Sequence, residues 1–173
     1  MSLSLYDATI PAYRQILGAV AGLLRTAQAF CTEKGIAAPQ IIQARLAPDM
    51  LAFAYQVKST AVHSLGAIEG VRRGVFSPDK TPPPETFEAL EDRIAGTLAA
   101  LAAIEPAEIE SFIGRDMRFE SANSRLEFTA EDFLLSFSLP NFYFHAATAY
   151  DILRWQGVQV GKRDFMGRMR LKE

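Results

Sequence analysis

Apolar residues recur at spacings of three and four over most of the chain, which is the signature of amphipathic helices. Ile10, Tyr13, Leu17, Val20, Leu24, Ala27 and Cys31 form one such stripe, widened by Ile16, Leu23 and Phe30. It predicts a first helix with Pro11 near its start and Gly35 as its C-cap. A connector over 36–48 closes with Pro48-Asp49, and Asp49 is an N-cap for a second helix from about Met50 to Val75. Its apolar face includes Met50, Phe53, Val57, Ala61, Leu65 and Ile68. Pro82-Pro83-Pro84 then interrupts the chain before a third helix, whose stripe runs from Phe87 through Leu90, Ile94 and Leu101 to Ile104, with Pro106 as its end.

The period changes from helical to alternating over 107–128. Met117 and Phe119 alternate with Arg118 and Glu120, and Leu126 and Phe128 alternate with Arg125 and Glu127. The turn signal Ala122-Asn123-Ser124 lies between them, so a small β-hairpin is expected between the third and fourth helices. Two strands are marginal alone, so the hairpin must lean on the helices. A fourth helix is expected from Thr129, with Asp132 three residues on, to Gln156. Its apolar residues surround the axis, which predicts a central, buried helix, and Pro140 predicts a kink or a one-turn break. These elements make an all-α four-helix bundle carrying one small hairpin, a single domain over 1–173.

Composition narrows the function classes. There are 18 basic and 20 acidic residues, a net charge of −2, so no electrostatic footprint for nucleic acid is present. Cys31 is the one cysteine, which excludes a disulfide framework and a Cys-rich metal motif. The run Ile16 to Leu24 falls well short of the roughly 20 apolar residues that cross a bilayer. The start of the chain has no basic region followed by an apolar core, so a cytoplasmic protein without membrane association is expected.

The candidate chemistry centres on the two histidines. His63 stands near the middle of the second helix and His145 near the middle of the fourth. With a fixed rise of about 1.5 Å per residue, such positions on side-by-side helices come to similar heights. Each belongs to a stripe of polar or small residues: Gln56, Ser59, His63, Gly66 and Gly70 on one helix, and Ser138, Asn141, His145 and Thr148 on the other. Gly18, Ala19, Ala21 and Gly22 of the first helix offer room at the same level. The expected site is an interior pocket for a small molecule, lined by Gln56, Ser59, His63, Asn141, His145 and Thr148. His63 and His145 are also the candidate ligands of a divalent metal, zinc or nickel. A catalytic zinc takes three protein ligands, and no Asp or Glu lies on the inner stripe of the first, second or fourth helix at this height, while Glu91 and Asp92 of the third flank its apolar face and are read as solvated. A packing-only alternative has both rings hydrogen-bonded to Gln56 or Asn141. Cys31, Arg72-Arg73 and Lys162-Arg163 are read as structural or solvated.

Several segments resemble an uncharacterised bacterial family known as a domain of unknown function. They are Ser4-Leu5-Tyr6-Asp7 with Ile10-Pro11, Ala44 to Met50 leading to Gln56 and His63, and Thr86 to Leu90 with Arg93-Ile94. The most specific block is Leu139 to His145, with Thr148-Ala149-Tyr150, Ile152-Leu153-Arg154, Gly157-Val158 and Gly161 to Phe165. That family is similar to the DinB/YfiT-like superfamily of four-helix bundles. The resemblance implies a bundle that is often a homodimer. It also implies a metal on three histidines, one from the second helix and a pair four residues apart on the fourth. His63 and His145 match two of these, and Ala149 stands at the third. Some superfamily relatives are thiol-cofactor-dependent transferases or isomerases. The alternative function is therefore a metal-dependent transferase, isomerase or hydrolase with a reduced metal site.

Overall fold

The computed structural model describes residues 3–172. The chain begins its first helix earlier than the apolar stripe suggests. Helix α1 spans Leu5–Lys34, because the Ser4 side chain caps it by accepting from the Asp7 N–H. Pro11 therefore lies inside the helix, and the carbonyl it leaves unpaired, that of Asp7, is at an exposed residue. All seven stripe residues from Ile10 to Cys31 are buried. Gly35, at φ 65°, ends the helix in the left-handed conformation and donates its N–H to the Cys31 carbonyl.

The connector contains a short helix, α2 (Ala38–Ile42), whose Ile41 and Ile42 are buried. The second long helix starts at Phe53 rather than at Met50, with Ala52 at the N-cap, so Asp49 caps nothing. It is also two helices instead of one: α3 (Phe53–Val62) and α4 (Leu65–Arg73) meet at His63-Ser64. The physical reason lies in Ser64. Its Oγ donates to the Thr60 carbonyl at 2.6 Å, a back-bond that competes with the helical ladder and bends it. The backbone of Ser64 leaves the helical region at φ −116°, ψ −89°.

Strand β1 (Val75–Phe76) follows directly. Helix α5 spans Phe87–Ala102, capped by the Thr86 side chain, and Pro106 opens a further short helix, α6 (Pro106–Glu110), where its missing N–H costs nothing. Strands β2 (Asp116–Ser121) and β3 (Ser124–Thr129) pair antiparallel. The sheet has a third member, because β1 pairs parallel with β2, Phe76 opposite Phe119. Two residues of strand directly after a helix carry too little periodicity to be seen in sequence.

Thr129 accepts from the Asp132 N–H and starts α7 (Ala130–Asp132). A π-helical turn over Phe133–Ser138 leads into α8 (Leu139–Trp155). Pro140 cannot donate a helical bond, and the expected break takes the form of this wider turn just before it. The helix is not central throughout. Phe144 and Trp155 are 56% and 71% exposed, so α8 buries one face, with Phe142, Ala146, Ala149, Ile152 and Leu153 inside. The chain closes with α9 (Lys162–Met166), held to α1 by a hydrogen bond from the Gln15 amide to the Met166 carbonyl.

Helix α1 packs against α5 and α8, and α3 packs against the same two, closing a helical bundle around the core. The small sheet covers one side of it through a cluster of aromatic rings: Phe76, Phe119, Phe128, Phe133 and Phe137. No helix of the described residues is long and apolar enough to cross a membrane.

Candidate functional site

His63 is the C-cap of α3, at the break, and His145 lies about two turns into α8 beyond the π-helical turn. Because α3 packs along α8, the two imidazoles meet with centroids 5.5 Å apart and planes inclined by only 19°. Phe76 and Phe137 flank the His63 ring at 5.5 and 6.1 Å. The position of His63 owes as much to the helix break as to helical periodicity.

Gln56 fixes the tautomer of His145. The Gln56 amide donates through Nε2 to the Leu51 carbonyl at 2.8 Å, so its Oε1 must face the ring, 2.7 Å from His145 Nδ1. An oxygen there accepts, so His145 Nδ1 carries the proton and Nε2 carries the lone pair. His63 Nδ1 is buried and has no hydrogen-bond partner among the described residues. Burial depresses both imidazoles to a pKa of about 4, and His145 adds to the depression at His63 by charge repulsion. Both rings are therefore neutral at pH 7.

The rings border a cavity of about 230 Å³. Ser59, His63, Asn141 and His145 stand on its wall, as do Tyr55, Lys58, Phe76, Phe119 and Phe137. Gln56 is behind the wall and acts on it through His145. Thr148 is buried and does not border the cavity. The Asn141 side chain donates to the Phe137 carbonyl at 2.7 Å and does not reach either imidazole by hydrogen bond. The small residues of α1 do not contribute: Gly18 is exposed with open space beside it, and Ala19 packs under Gly167 of the C-terminal segment. The room comes instead from the gap between α3, α8 and the sheet.

Lys58 was outside the sequence-derived site. Its side chain is 1% exposed, and Nζ is 3.1 Å from Asp79 Oδ1 and hydrogen-bonded to the backbone carbonyls of Asp79 and Thr81. Asp79 also accepts from Arg93 at 3.2 Å and from the Thr81 N–H and hydroxyl. Burial opposes the Asp79 charge, yet the bonds from Thr81 and Lys58 prevail and hold the carboxyl at about 2. One signal was available in sequence: Lys58 is the single charged residue between Asp49 and Glu69.

Residues 5–166 match the family model of a domain of unknown function, DUF1993. The chain belongs to this family. A crystal structure of a DinB family member protein from Shewanella denitrificans is 26% identical, covers 98% of this chain and 95% of its own, and superposes with a TM-score of 0.81. No curated protein matches the chain.

The DUF1993 site does not fit the metal that the resemblance implies. Among the described residues, no group of three His, Cys, Asp or Glu side chains is arranged to hold an ion. Ala149 occupies the position of a third imidazole, and the nearby Asp79 carboxylate is already committed to Lys58, Arg93 and Thr81. Two neutral donors fall short of the three that a catalytic zinc takes from protein.

Proposed function

We propose that this chain is a DinB-type four-helix-bundle protein that binds a small organic molecule in the cavity beside His63 and His145. The observation that carries the reading is the pairing of a tautomer-fixed ring with an orphaned one at the same wall. His145 presents an Nε2 lone pair because Gln56 holds its Nδ1 proton, and His63 Nδ1 is buried without a partner. That nitrogen is closed off from the cavity, so a ligand meets the Nε2 lone pair of His145 and the open edge of the His63 ring. The remaining wall is aromatic, from Phe76, Phe119 and Phe137, which suits an apolar body with a few polar groups.

The depressed basicity bears on mechanism. An effective general base has a pKa near the working pH, and rings at about 4 are poor proton acceptors at pH 7. They are good hydrogen-bond acceptors for a ligand hydroxyl or amide. The arrangement therefore supports recognition ahead of acid–base catalysis.

A second reading, a metal-dependent transferase, isomerase or hydrolase using His63 and His145, draws support from the 5.5 Å approach of the two rings. The missing third ligand weighs against it.

The deciding experiment is a titration of protein with histidine-labelled rings against a panel of small aromatic alcohols, amides and acids, followed by NMR. The binding reading expects saturable shifts of both ring resonances, lost in His145→Ala. Absence of any saturable shift at millimolar concentration overturns it. Elemental analysis of purified protein runs beside it: one zinc or nickel per chain would replace the first reading by the second.

A further inference from the structure

The two imidazoles meet the cavity with opposite polarity. A neutral imidazole carries one N–H and one lone pair. Gln56 Oε1 holds the N–H of His145 at Nδ1, so Nε2 brings a lone pair to the wall. In His63 the enclosed nitrogen is Nδ1, which has no partner among the described residues. A protein interior tolerates an unpaired acceptor more readily than an unpaired N–H. The proton of His63 therefore belongs on Nε2, and the open edge of that ring is a donor. Asn141, one turn before His145 on α8, adds a second acceptor to the wall. Its Nδ2 is spent on the Phe137 carbonyl, which leaves Oδ1 for the cavity. Charge has no seat here. The ionised side chains of this wall are Lys58 and Asp79, which are bonded to each other at 3.1 Å. Lys58 also holds two backbone carbonyls, and Asp79 also holds Arg93 and Thr81. A carboxylate or an ammonium entering the cavity would lose its water without gaining a counter-ion.

We infer that the ligand is a neutral aromatic molecule bearing a primary carboxamide. Its carbonyl accepts from His63 Nε2–H, and its NH₂ group donates to His145 Nε2 and to Asn141 Oδ1. This rests on the reading of the histidine cavity as a ligand site and specifies its ligand class. The imidazole planes are inclined by only 19°, so their in-plane hydrogen bonds leave in nearly parallel planes. That suits a head with its acceptor and its donors on separate atoms. A hydroxyl has one proton to give and fills only one of the two acceptors. A cavity of about 150 Å³ admits a benzene ring. At about 230 Å³ this one takes a single ring with a short arm, and Phe76, Phe119 and Phe137 face the ring.

The test begins with nitrogen chemical shifts of the ligand-free protein. His63 is expected to carry its proton on Nε2 and His145 on Nδ1. A His63 ring protonated on Nδ1 overturns the inference, while the cavity stands as a ligand site. The His63 and His145 ring resonances are then followed by NMR at pH 7 during titration with molecules of one shape: 3-phenylpropionamide, methyl 3-phenylpropionate, 3-phenylpropionate and 3-phenylpropan-1-ol. The ester and the acid leave both acceptors unpaired and the alcohol leaves one. Each is expected to bind about tenfold more weakly than the amide, or weaker still. An ester, acid or alcohol that matches the amide overturns the inference and leaves the histidine cavity as a ligand site. Failure of every compound to move either ring overturns the cavity reading and this inference with it.

Discussion

The Ser138 hydroxyl donates to the backbone carbonyl of His63 across 2.7 Å, so the end of the π-helical turn is tied to the break between α3 and α4. That carbonyl sits where the helix ends, and Ser138 supplies the partner that the interrupted ladder does not. Two backbone irregularities on neighbouring helices thus brace each other at the level of the imidazole pair. Ser138→Ala leaves a part-buried acceptor unpaired and is expected to cost about 1–2 kcal/mol. For a chain of this length that lowers the melting temperature by about 2–4 °C per kcal/mol. The His63 ring resonance should move with it, while the bond between Gln56 and His145 persists. An unchanged melting temperature would show that the bridge carries no stability.

Acid should destabilise the fold in two stages. An unfolded histidine takes up a proton near pH 6.5, whereas the folded rings resist until about pH 4. Between those values the unfolded state binds more protons, so stability falls as pH drops from 6.5 towards 4, by a few kcal/mol for the pair. Asp79 acts lower down. Its folded pKa of about 2 against an ordinary 3.8 gives stability that is present above pH 3.8 and lost as pH falls towards 2. Urea denaturation at a series of pH values reads both stages. In His63→Leu the slope between pH 6.5 and 4 should be smaller, and an NMR titration of the native rings near 6.5 would refute the first stage.

Gln56→Glu should raise the pKa of His145. The new carboxylate would face Nδ1 at the position of the present acceptor, 2.7 Å away, and favour the protonated ring. Gln56→Leu should instead release the tautomer, so that Nδ1–H and Nε2–H forms both populate. Nitrogen chemical shifts of the His145 ring distinguish the outcomes, and an unperturbed ring in both variants would contradict the role assigned to Gln56.

Lys58→Met should be strongly destabilising despite the good fit of methionine into an apolar slot. Breaking a buried ion pair costs about 3–5 kcal/mol when the remaining charge is left alone. Asp79 keeps Arg93 and Thr81 and is part-exposed at 24%, which favours the lower end, while the carbonyls of Asp79 and Thr81 lose their donor. The Asp79 carboxyl should titrate higher in the variant. Lys58→Met combined with Asp79→Asn should recover part of the loss, and additive losses in the double variant would show that the two side chains are not coupled.

Gly70→Ala tests the support behind Phe76, which stands on the cavity wall. A β-carbon there would lie 3.0 Å from Phe76 Cβ and 3.1 Å from its Cδ2, tighter than an ordinary contact, so the root of a packed ring would have to give way. The expected cost is about 1–3 kcal/mol. The displaced Phe76 should also shift the His63 ring resonance, since the two rings are 5.5 Å apart. A variant as stable as the parent, with that resonance in place, would mean the wall is soft.

Much of the framework is local information, and the sequence by itself determined it. The stripe from Ile10 to Cys31, Gly35 after α1, the alternation from Met117 to Phe128 and the cap at Thr129 are each written within a few residues. Periodicity of 3.6 or 2 decides such elements because each buries one face of its own. The prominence of His63 and His145 was equally legible, as the two histidines of the chain, each on a stripe of polar or small residues. Tertiary structure alone decided the rest. Ser64 turned one expected helix into two, and β1 joined the hairpin through a parallel contact 43 positions along the register from Val75 to Arg118. Lys58 found Asp79 21 residues away, and the cavity opened towards the sheet instead of towards α1. Such pairings depend on which elements pack together, and packing is decided by the summed fit of many distant side chains, none of which announces its partner in the local pattern.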